Sequence, residues 1–167
     1  MRIDGKTDIR DVAAKFLAYR SHTTWEMRKH LLEKEYDEDQ VSQVLADFME
    51  YGYLDDERYA KEYMEYAFGK NKGKNRVFQE LKEKGIDRDV IQFAYEDLED
   101  QFDEKQLARE EAFRVLRTAD IYAEDGQICE EDRQKIDEKL VAKVARRLQS
   151  KGYGSDTIYG VIGELRR

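Results

Sequence analysis

The chain has 167 residues, of which 41% are charged and 40% are hydrophobic, and it contains no proline. A proline-free chain favours nearly continuous helices joined by short turns, and eleven Tyr with seven Phe supply enough aromatic bulk for cores, which argues against a disordered chain. The net charge of −8 argues against a nucleic-acid binder that uses its whole surface.

The first predicted helices are recognised by their apolar period and by capping signals. Helical spacing begins near Ile9. Thr23, with Glu26 three residues later, has the pattern of a capping box, so a second helix is predicted to start there. Asp37 with Gln40 repeats this pattern and predicts the start of a third helix.

A junction of polar and aromatic residues follows the third helix. Gly52 suits the left-handed position after a helix C-terminus, and Asp55 or Asp56 can cap the next helix. Tyr53 and Leu54 are predicted to pack between the two helices. We interpret the junction as a helix-turn-helix hinge, with direct contact to a partner as the alternative. The junction consists of Gly52, Tyr53, Leu54, Asp55, Asp56, Glu57, Arg58, Tyr59 and Ala60.

The pattern of the second helix recurs twice along the chain. The segment that begins at Leu31 aligns with segments that begin at Leu81 and Leu148. Apolar positions keep the same phase in all three copies over about twenty residues each, which helical composition alone does not produce.

Each copy contains a tight turn after this helix. Gly85 and Gly152 allow the left-handed conformation in the second and third copies. Glu35 replaces glycine in the first copy, so we expect a less comfortable turn there.

The third copy differs by an insertion between its first and second helices, from Tyr122 to Arg133. We expect a longer helix before the insertion and a turn at Asp125-Gly126. Glu130 or Glu131 is then predicted to lead into the next helix.

The predicted fold is all-α, with a near-absence of strand. It consists of three tandem three-helix repeats that form an elongated, curved molecule. The repeats span residues 9–54, 55–101 and 102–167, and residues 1–8 are predicted to be a loose leader.

The residue types needed for most catalytic and metal sites are scarce. His22 and His30 are the only histidines and Cys129 is the only thiol, so no metal cluster or Cys/His nucleophile pair has the usual spacing. We predict no enzymatic activity and no cofactor. A single cysteine and the lack of a long apolar run predict a cytoplasmic protein without a membrane segment.

Positive charge is concentrated in two places, which makes them candidate partner-binding sites. The segment from Gly69 to Arg76 contains four bases and no acid, and Gly69 with Gly73 would let the backbone approach a partner. A basic row with helical spacing lies in the third repeat. Solvated surfaces explain both sets equally well, and Trp25 is predicted to be a packing residue rather than a base-stacking platform. The candidate residues are Lys70, Lys72, Lys74, Arg76, Lys143, Arg146 and Arg147.

Nearly the whole chain, roughly from Asp11 to Arg167, resembles the RecX family of regulators of the bacterial RecA recombinase. The resemblance is carried by the junction from Gly52 to Ala60 and by the Leu-x-x-Lys-Gly turns. A further set of matching residues is Arg20, Thr23, Glu26, Arg28 and Leu31.

The resemblance implies a monomeric protein that binds RecA and its filament on single-stranded DNA. Such a protein inhibits RecA's recombinase, ATPase and coprotease activities, and so acts in DNA repair, DNA recombination and the SOS response. Two binding modes are open. The acidic and basic parts of the chain could each contact surfaces of opposite charge on RecA, or the basic loops could contact the DNA backbone. The alternative is a stand-alone DNA-binding regulator with three helix-turn-helix-like modules, and a helical scaffold for another partner is the third reading.

Overall fold

The computed structural model describes residues 7–167 and confirms the all-α class. Helices connected by short turns make up most of the described chain, together with one 3-10 turn and one small hairpin. The helices are α1 Ile9–Tyr19, α2 Thr24–Glu33, α3 Glu38–Glu50, α4 Asp56–Gly69, α5 Lys74–Glu83, α6 Arg88–Glu96, α7 Glu104–Arg117, α8 Glu130–Arg133, α9 Glu138–Lys151 and α10 Ser155–Leu165. The 3-10 turn is Glu99–Gln101, and the strands are β1 Ala123–Glu124 and β2 Gln127–Ile128.

The starts of α2 and α3 lie at the predicted capping residues, and α1 has a cap that the sequence did not predict. The capping box of Thr23 and Glu26 is complete, with N–H···O distances of 3.1 Å and 3.2 Å. Asp37 caps α3 alone by accepting a bond from the Asp39 amide. Residues 1–6 of the predicted leader lie outside the described residues, and Asp8 is part of the fold because its carboxylate caps α1.

The insertion in the third repeat forms a hairpin with the predicted turn. Asp125 and Gly126 have φ of 49° and 77°, which suits a tight two-residue connection. Glu130 starts the short α8 rather than a long helix, and α9 begins separately at Glu138. The hairpin is therefore followed by the one-turn helix α8 and then by α9, which has its own N-terminal cap at Asp137. The sequence pattern did not distinguish these two helix starts.

The chain divides into two compact units. Unit 1 contains the chain up to Tyr63 together with Glu80–Asp97, and unit 2 contains Met64–Gln79 together with Leu98–Arg167. Helices α1, α2 and α3 pack around one core in unit 1, and α7, α9 and α10 pack around another in unit 2. Because the predicted second repeat supplies residues to both units, the boundaries of the three repeats stay a prediction.

Within unit 1, the turn after α5 packs on the start of α2. Gly85 has a φ of +81°, and a Cβ at this position would overlap the Trp25 side chain. The Thr23 hydroxyl donates a 2.6 Å hydrogen bond to the Lys84 carbonyl oxygen. Trp25 therefore packs against the Gly85 turn on one side, although 44% of the residue is exposed, so it is not a core residue.

Within unit 2, the turn after α9 packs on the start of α5 in a similar way. Gly152 has a φ of +90°, and a Cβ there would overlap Arg76. The Gly73 and Asn75 amides donate to the Lys151 and Gly152 carbonyl oxygens at 2.7 Å and 3.1 Å. Glycine is thus required at position 152 by both backbone conformation and close approach.

The first turn uses the same left-handed conformation without glycine. Glu35 has a φ of +63°, so the backbone strain expected from the sequence is present. Unlike Gly85 and Gly152, Glu35 carries a Cβ that the surrounding structure accommodates. At Glu35 the positive φ is the feature that favours glycine.

We expect Glu35→Gly to stabilise the protein. Removing left-handed strain gains about 1 kcal/mol, partly offset by the greater freedom of glycine in the unfolded chain and by the loss of the interactions of the Glu35 side chain, which leaves a net gain of at most about 0.5 kcal/mol. Urea denaturation monitored by circular dichroism measures this difference. Glu33→Gly, at a helical position, is the matched control and should destabilise. A Glu35→Gly protein less stable than the parent would contradict the explanation.

Candidate partner-binding surfaces

The first predicted basic set, residues 70–76, is here named the lysine segment. Only its first half is a turn, because Gly69 ends α4 and Lys74 begins α5. Asn71 has a φ of +55° and its side chain is buried. The predicted continuous loop is therefore a tight turn followed by the first turn of a helix.

The backbone of the lysine segment is held by the protein itself. The Lys151 amine donates to the Lys70 carbonyl oxygen at 3.2 Å, and the buried Tyr153 hydroxyl donates to the Asn71 carbonyl oxygen at 2.8 Å. A Cβ on Gly73 would overlap the backbone of Gly152. The close approach that Gly73 allows is therefore internal, and the expectation that it serves a partner is wrong.

The cations of the lysine segment have different surroundings. Lys70 and Arg76 are exposed, whereas Lys72 and Lys74 are half-buried. The Lys70 and Lys74 ammonium groups lie over the rings of Tyr66 and Phe78, at 5.8 Å and 5.2 Å from the centroids. These contacts hold both ammonium groups over aromatic surface, and of the two residues Lys70 is the exposed one.

Lys74 and Arg76 occupy the first turn of α5, where the helix dipole disfavours positive charge. The Glu104 carboxylate accepts a 3.4 Å hydrogen bond from the Lys74 amide, which offsets part of that cost. The arrangement keeps cations at a position where helix stability alone would favour acids.

The second predicted basic set lines a cleft between α7 and α9. The cleft has a volume of about 480 Å³. Arg114, which the sequence pattern did not single out, supplies a fourth base from α7. We name it the basic cleft, and it is lined by Glu111, Arg114, Val115, Thr118, Lys143, Arg146, Arg147 and Ser150.

The one acid in the basic cleft is fully buried and orients two of its bases. Glu111 is 0% exposed, and its carboxylate accepts from Arg147 at 2.7 Å and from Arg114 at 3.3 Å. The Lys151 ammonium lies 3.8 Å away. Because a buried carboxylate requires such partners, Glu111 fixes the Arg147 guanidinium at the cleft wall. Four bases against one acid leave the cleft strongly positive.

Burial also shifts the ionisation of two residues that anchor the lysine segment. Burial lowers the pKa of Lys151, although Glu111 opposes this effect. Burial raises the pKa of Tyr153, and nearby carboxylates, Glu111 first among them, add to the rise. The Tyr153 hydroxyl therefore keeps its proton and its bond to Asn71 throughout the neutral pH range.

A direct bond connects the lysine segment to the basic cleft. The Arg76 guanidinium donates a 2.9 Å hydrogen bond to the carbonyl oxygen of Ser150, which lines the cleft. Arg146 and Lys143 are exposed, and Lys143 donates to the Thr118 hydroxyl at 2.9 Å. The structure thus brings the two sets next to each other within unit 2, and a shared partner for all seven bases stays a prediction.

The junction after α3 has the predicted backbone but only one of its two predicted packing residues. Gly52 has a φ of +76°, and Leu54 is 2% exposed. Tyr53 is 62% exposed, so the expectation that it packs between the helices is wrong. Its ring lies edge-on to Phe48 with centroids 5.5 Å apart, at the surface of the core that takes in Leu54.

Hydrogen bonds hold the junction closed. Asp55 caps α4 by accepting a 3.0 Å bond from the Arg58 amide, and the Arg58 guanidinium donates back to the Gly52 carbonyl oxygen at 3.0 Å. Asp56 accepts bonds from the amide and hydroxyl of Thr24, at 2.8 Å and 3.1 Å. Asp56 therefore also stabilises the start of α2, which the sequence did not predict.

The last two junction residues belong to the first half of α4. Ala60 is fully buried, and the Tyr59 ring stacks on Tyr63 at a centroid distance of 6.5 Å. The hinge interpretation accounts for these residues and for the capping carboxylates.

Two classes of site find no support in the described part of the chain. Among residues 7–167, no three His, Cys, Asp or Glu side chains are grouped so that they can hold a metal ion. None of the described helices has both the length and the apolar character needed to cross a lipid bilayer.

These features define a helical protein made of small three-helix modules. Residues 10–48 match the family model described as RecX, first three-helix domain, and residues 55–94 match the model described as RecX, second three-helix domain. The Regulatory protein RecX of Vibrio parahaemolyticus serotype O3:K6 (strain RIMD 2210633) is 31% identical over 150 residues, which cover 89% of this chain and 86% of the relative. The chain belongs to the RecX family.

A further relative supports the same assignment, and two solved structures share the fold. The Regulatory protein RecX of Clostridium botulinum (strain Eklund 17B / Type B) is 32% identical over 155 residues, with 93% of this chain and 67% of the relative covered. The crystal structure of RecX from Lactobacillus salivarius has the same fold, with a TM-score of 0.77, 20% identity and 94% of each chain covered. A second structure, described as regulatory protein RecX, has a TM-score of 0.70 at 24% identity and covers 94% of this chain and 73% of that one.

Proposed function

We propose that this protein is a non-catalytic cytoplasmic regulator that binds the RecA filament on single-stranded DNA and inhibits RecA. Membership in the RecX family is the observation that carries the proposal. Binding to the filament would restrain RecA's recombinase, ATPase and coprotease activities, and thereby influence DNA repair, recombination and the SOS response.

The surface of unit 2 supports a polyanionic or acidic partner. The basic cleft carries four bases against the buried Glu111, although the chain as a whole has a net charge of −8. Arg146 forms no ion pair among residues 7–167, so its charge is available to a partner. Such local concentration of charge steers association with DNA phosphates or with an acidic protein face.

A charge-reversal variant tests the role of this surface. Lys70→Glu, Lys143→Glu and Arg146→Glu combine three exposed positions of unit 2. We expect the triple variant to inhibit the DNA-dependent ATPase of RecA about tenfold less strongly than the parent, because complementary charge is replaced by repulsion. Inhibition by the parent should also weaken as salt is raised. The measurement is an ATPase titration at two salt concentrations.

The control changes the same amount of charge on the other unit. Lys15→Glu, Lys82→Glu and Arg88→Glu alter three exposed cations of unit 1 and should leave inhibition unchanged. Equal inhibition by the parent and the unit 2 variant would remove the basic surface from the interface. A parent with no effect on RecA, but with tight duplex binding in the absence of RecA, would replace the proposal with that of a stand-alone DNA-binding regulator.

A further inference from the structure

Unit 1 contains an open groove that the proposed function does not use. It lies among the start of α2, the end of α3, the junction with α4, and α6, and its volume is about 630 Å³. We name it the acidic groove. It is lined by Thr24, Met49, Leu54, Asp55, Asp56, Glu57, Asp89, Val90 and Phe93.

The floor and walls of the acidic groove are apolar. Leu54 is 2% exposed at the floor, whereas Met49 and Phe93 are 49% and 61% exposed at the walls. Two large apolar side chains turned to solvent beside one concavity offer contact surface to an apolar side chain of a partner. Methionine and phenylalanine also suit contact with another protein, because both present large adaptable or aromatic surfaces.

Negative charge surrounds this apolar surface. Four of the lining residues are acids and none is Lys or Arg. Asp56 is occupied by its bonds to Thr24, and Glu57 pairs with Lys61 at 2.7 Å. Asp89 is exposed and forms no ion pair among residues 7–167, and Asp55 is also exposed. The acids at the mouth of the groove are thus left to attract an external cation.

We propose that the acidic groove is a docking site for a basic amphipathic segment of a protein partner. Apolar side chains of that segment contact Met49 and Phe93 above the floor formed by Leu54, while its Lys or Arg side chains pair with Asp55 and Asp89. This is the groove-binding mode of amphipathic helices, in which apolar anchors supply affinity and flanking charges supply orientation. Nucleic acid is repelled from the same place by the four carboxylates.

The proposal gives the junction after α3 a second role besides its hinge role. Asp55 and Asp56 cap or brace helices, and the same turn of chain lines the groove next to the exposed Tyr53. The docking site depends only on unit 1, so it stands or fails independently of the charge-reversal test on unit 2.

A synthetic peptide of known chemistry tests the acidic groove. The probe is a fluorescein-labelled Leu/Lys amphipathic helix about five turns long, and a Leu/Glu helix of the same length is its negative control. Binding to the full chain is followed by fluorescence anisotropy. The double variant Met49→Gln/Phe93→Gln removes both exposed apolar anchors without changing the charge, and Asp89→Asn removes one rim charge.

Matched variants on unit 2 separate specific docking from general attraction to an acidic protein. Tyr122→Gln/Tyr159→Gln removes two exposed apolar side chains, and Asp156→Asn removes an exposed acid from the first turn of α10, as Asp89→Asn does from α6. Circular dichroism confirms that each variant is folded.

We expect the Leu/Lys helix to bind the parent and both unit 2 controls equally. The Met49→Gln/Phe93→Gln protein should bind about tenfold more weakly, and Asp89→Asn should weaken binding a few-fold. Equal affinity for all variants, or equal binding of the Leu/Glu helix, would overturn the proposal. Self-association of the parent that only Met49→Gln/Phe93→Gln abolishes, without any peptide binding, would also overturn it and would assign the groove to a second copy of the chain.

Discussion

Leu54→Asp should lower the free energy of unfolding by about 4 kcal/mol, because it places a carboxylate in a buried apolar site without a basic partner. Leu54 is 2% exposed and packs in the core formed by α1, α2 and α3. The measurement is urea denaturation at neutral pH, followed by the circular dichroism of the helices. The loss should be smaller below about pH 4, because burial raises the carboxyl pKa and the neutral form is then present in both states.

Tyr53→Asp is the matched control at the neighbouring position. Tyr53 is 62% exposed, so the same change of charge in the same junction should alter stability by about 0.5 kcal/mol or less. If Leu54→Asp unfolds like the parent and yet fails to bind RecA, the junction is a contact site and its interpretation as a structural hinge is wrong.

Gly73→Ala should strongly destabilise unit 2, with a loss of about 3 kcal/mol in the free energy of unfolding. The added Cβ would overlap the backbone carbonyl group of Gly152 and the Tyr153 amide nitrogen, and neither can move aside as a flexible side chain would. Relief of the overlap must separate the lysine segment from the turn after α9, which breaks the 2.7 Å bond from the Gly73 amide to the Lys151 carbonyl oxygen.

Gly69→Ala provides the comparison four residues earlier. No heavy atom lies within 4 Å of the Cβ position at Gly69, and this residue ends α4, so alanine should be neutral or slightly stabilising. Thermal melting of the two proteins side by side measures the difference. A Gly73→Ala protein that melts with the parent would show that the two backbone segments are not held together in solution.

Local features were predictable from the sequence because near neighbours determine them. The capping box of Thr23 with Glu26 and the turn at Asp125-Gly126 depend on residues within four positions of one another. The left-handed positions of Gly52, Gly85 and Gly152 follow for the same reason. The helical class and the phase of the apolar repeats were predictable for the same reason, because spacing within a few residues decides both.

The candidate sites depend on residues that are far apart in the chain. Arg114 was missed because only the packing of α7 against α9 places it opposite Arg147. The sequence places Glu111 in an acidic stretch, yet its side chain is buried among bases. Neither surroundings nor burial can be read from a charge count along the chain.

Several contacts that build these sites span a long stretch of sequence. The bond from Thr24 to Asp56 spans 32 residues, that from Arg147 to Glu111 spans 36, and that from Tyr153 to Asn71 spans 82. The sequence by itself determined the capped starts of α2 and α3 and the turns at Gly52, Gly85 and Gly152, since hydrogen bonding within one turn of helix decides these. Only the tertiary structure decided which charges are neutralised, which glycines meet another backbone and which apolar side chains remain in solvent, because burial depends on the elements that pack against each residue.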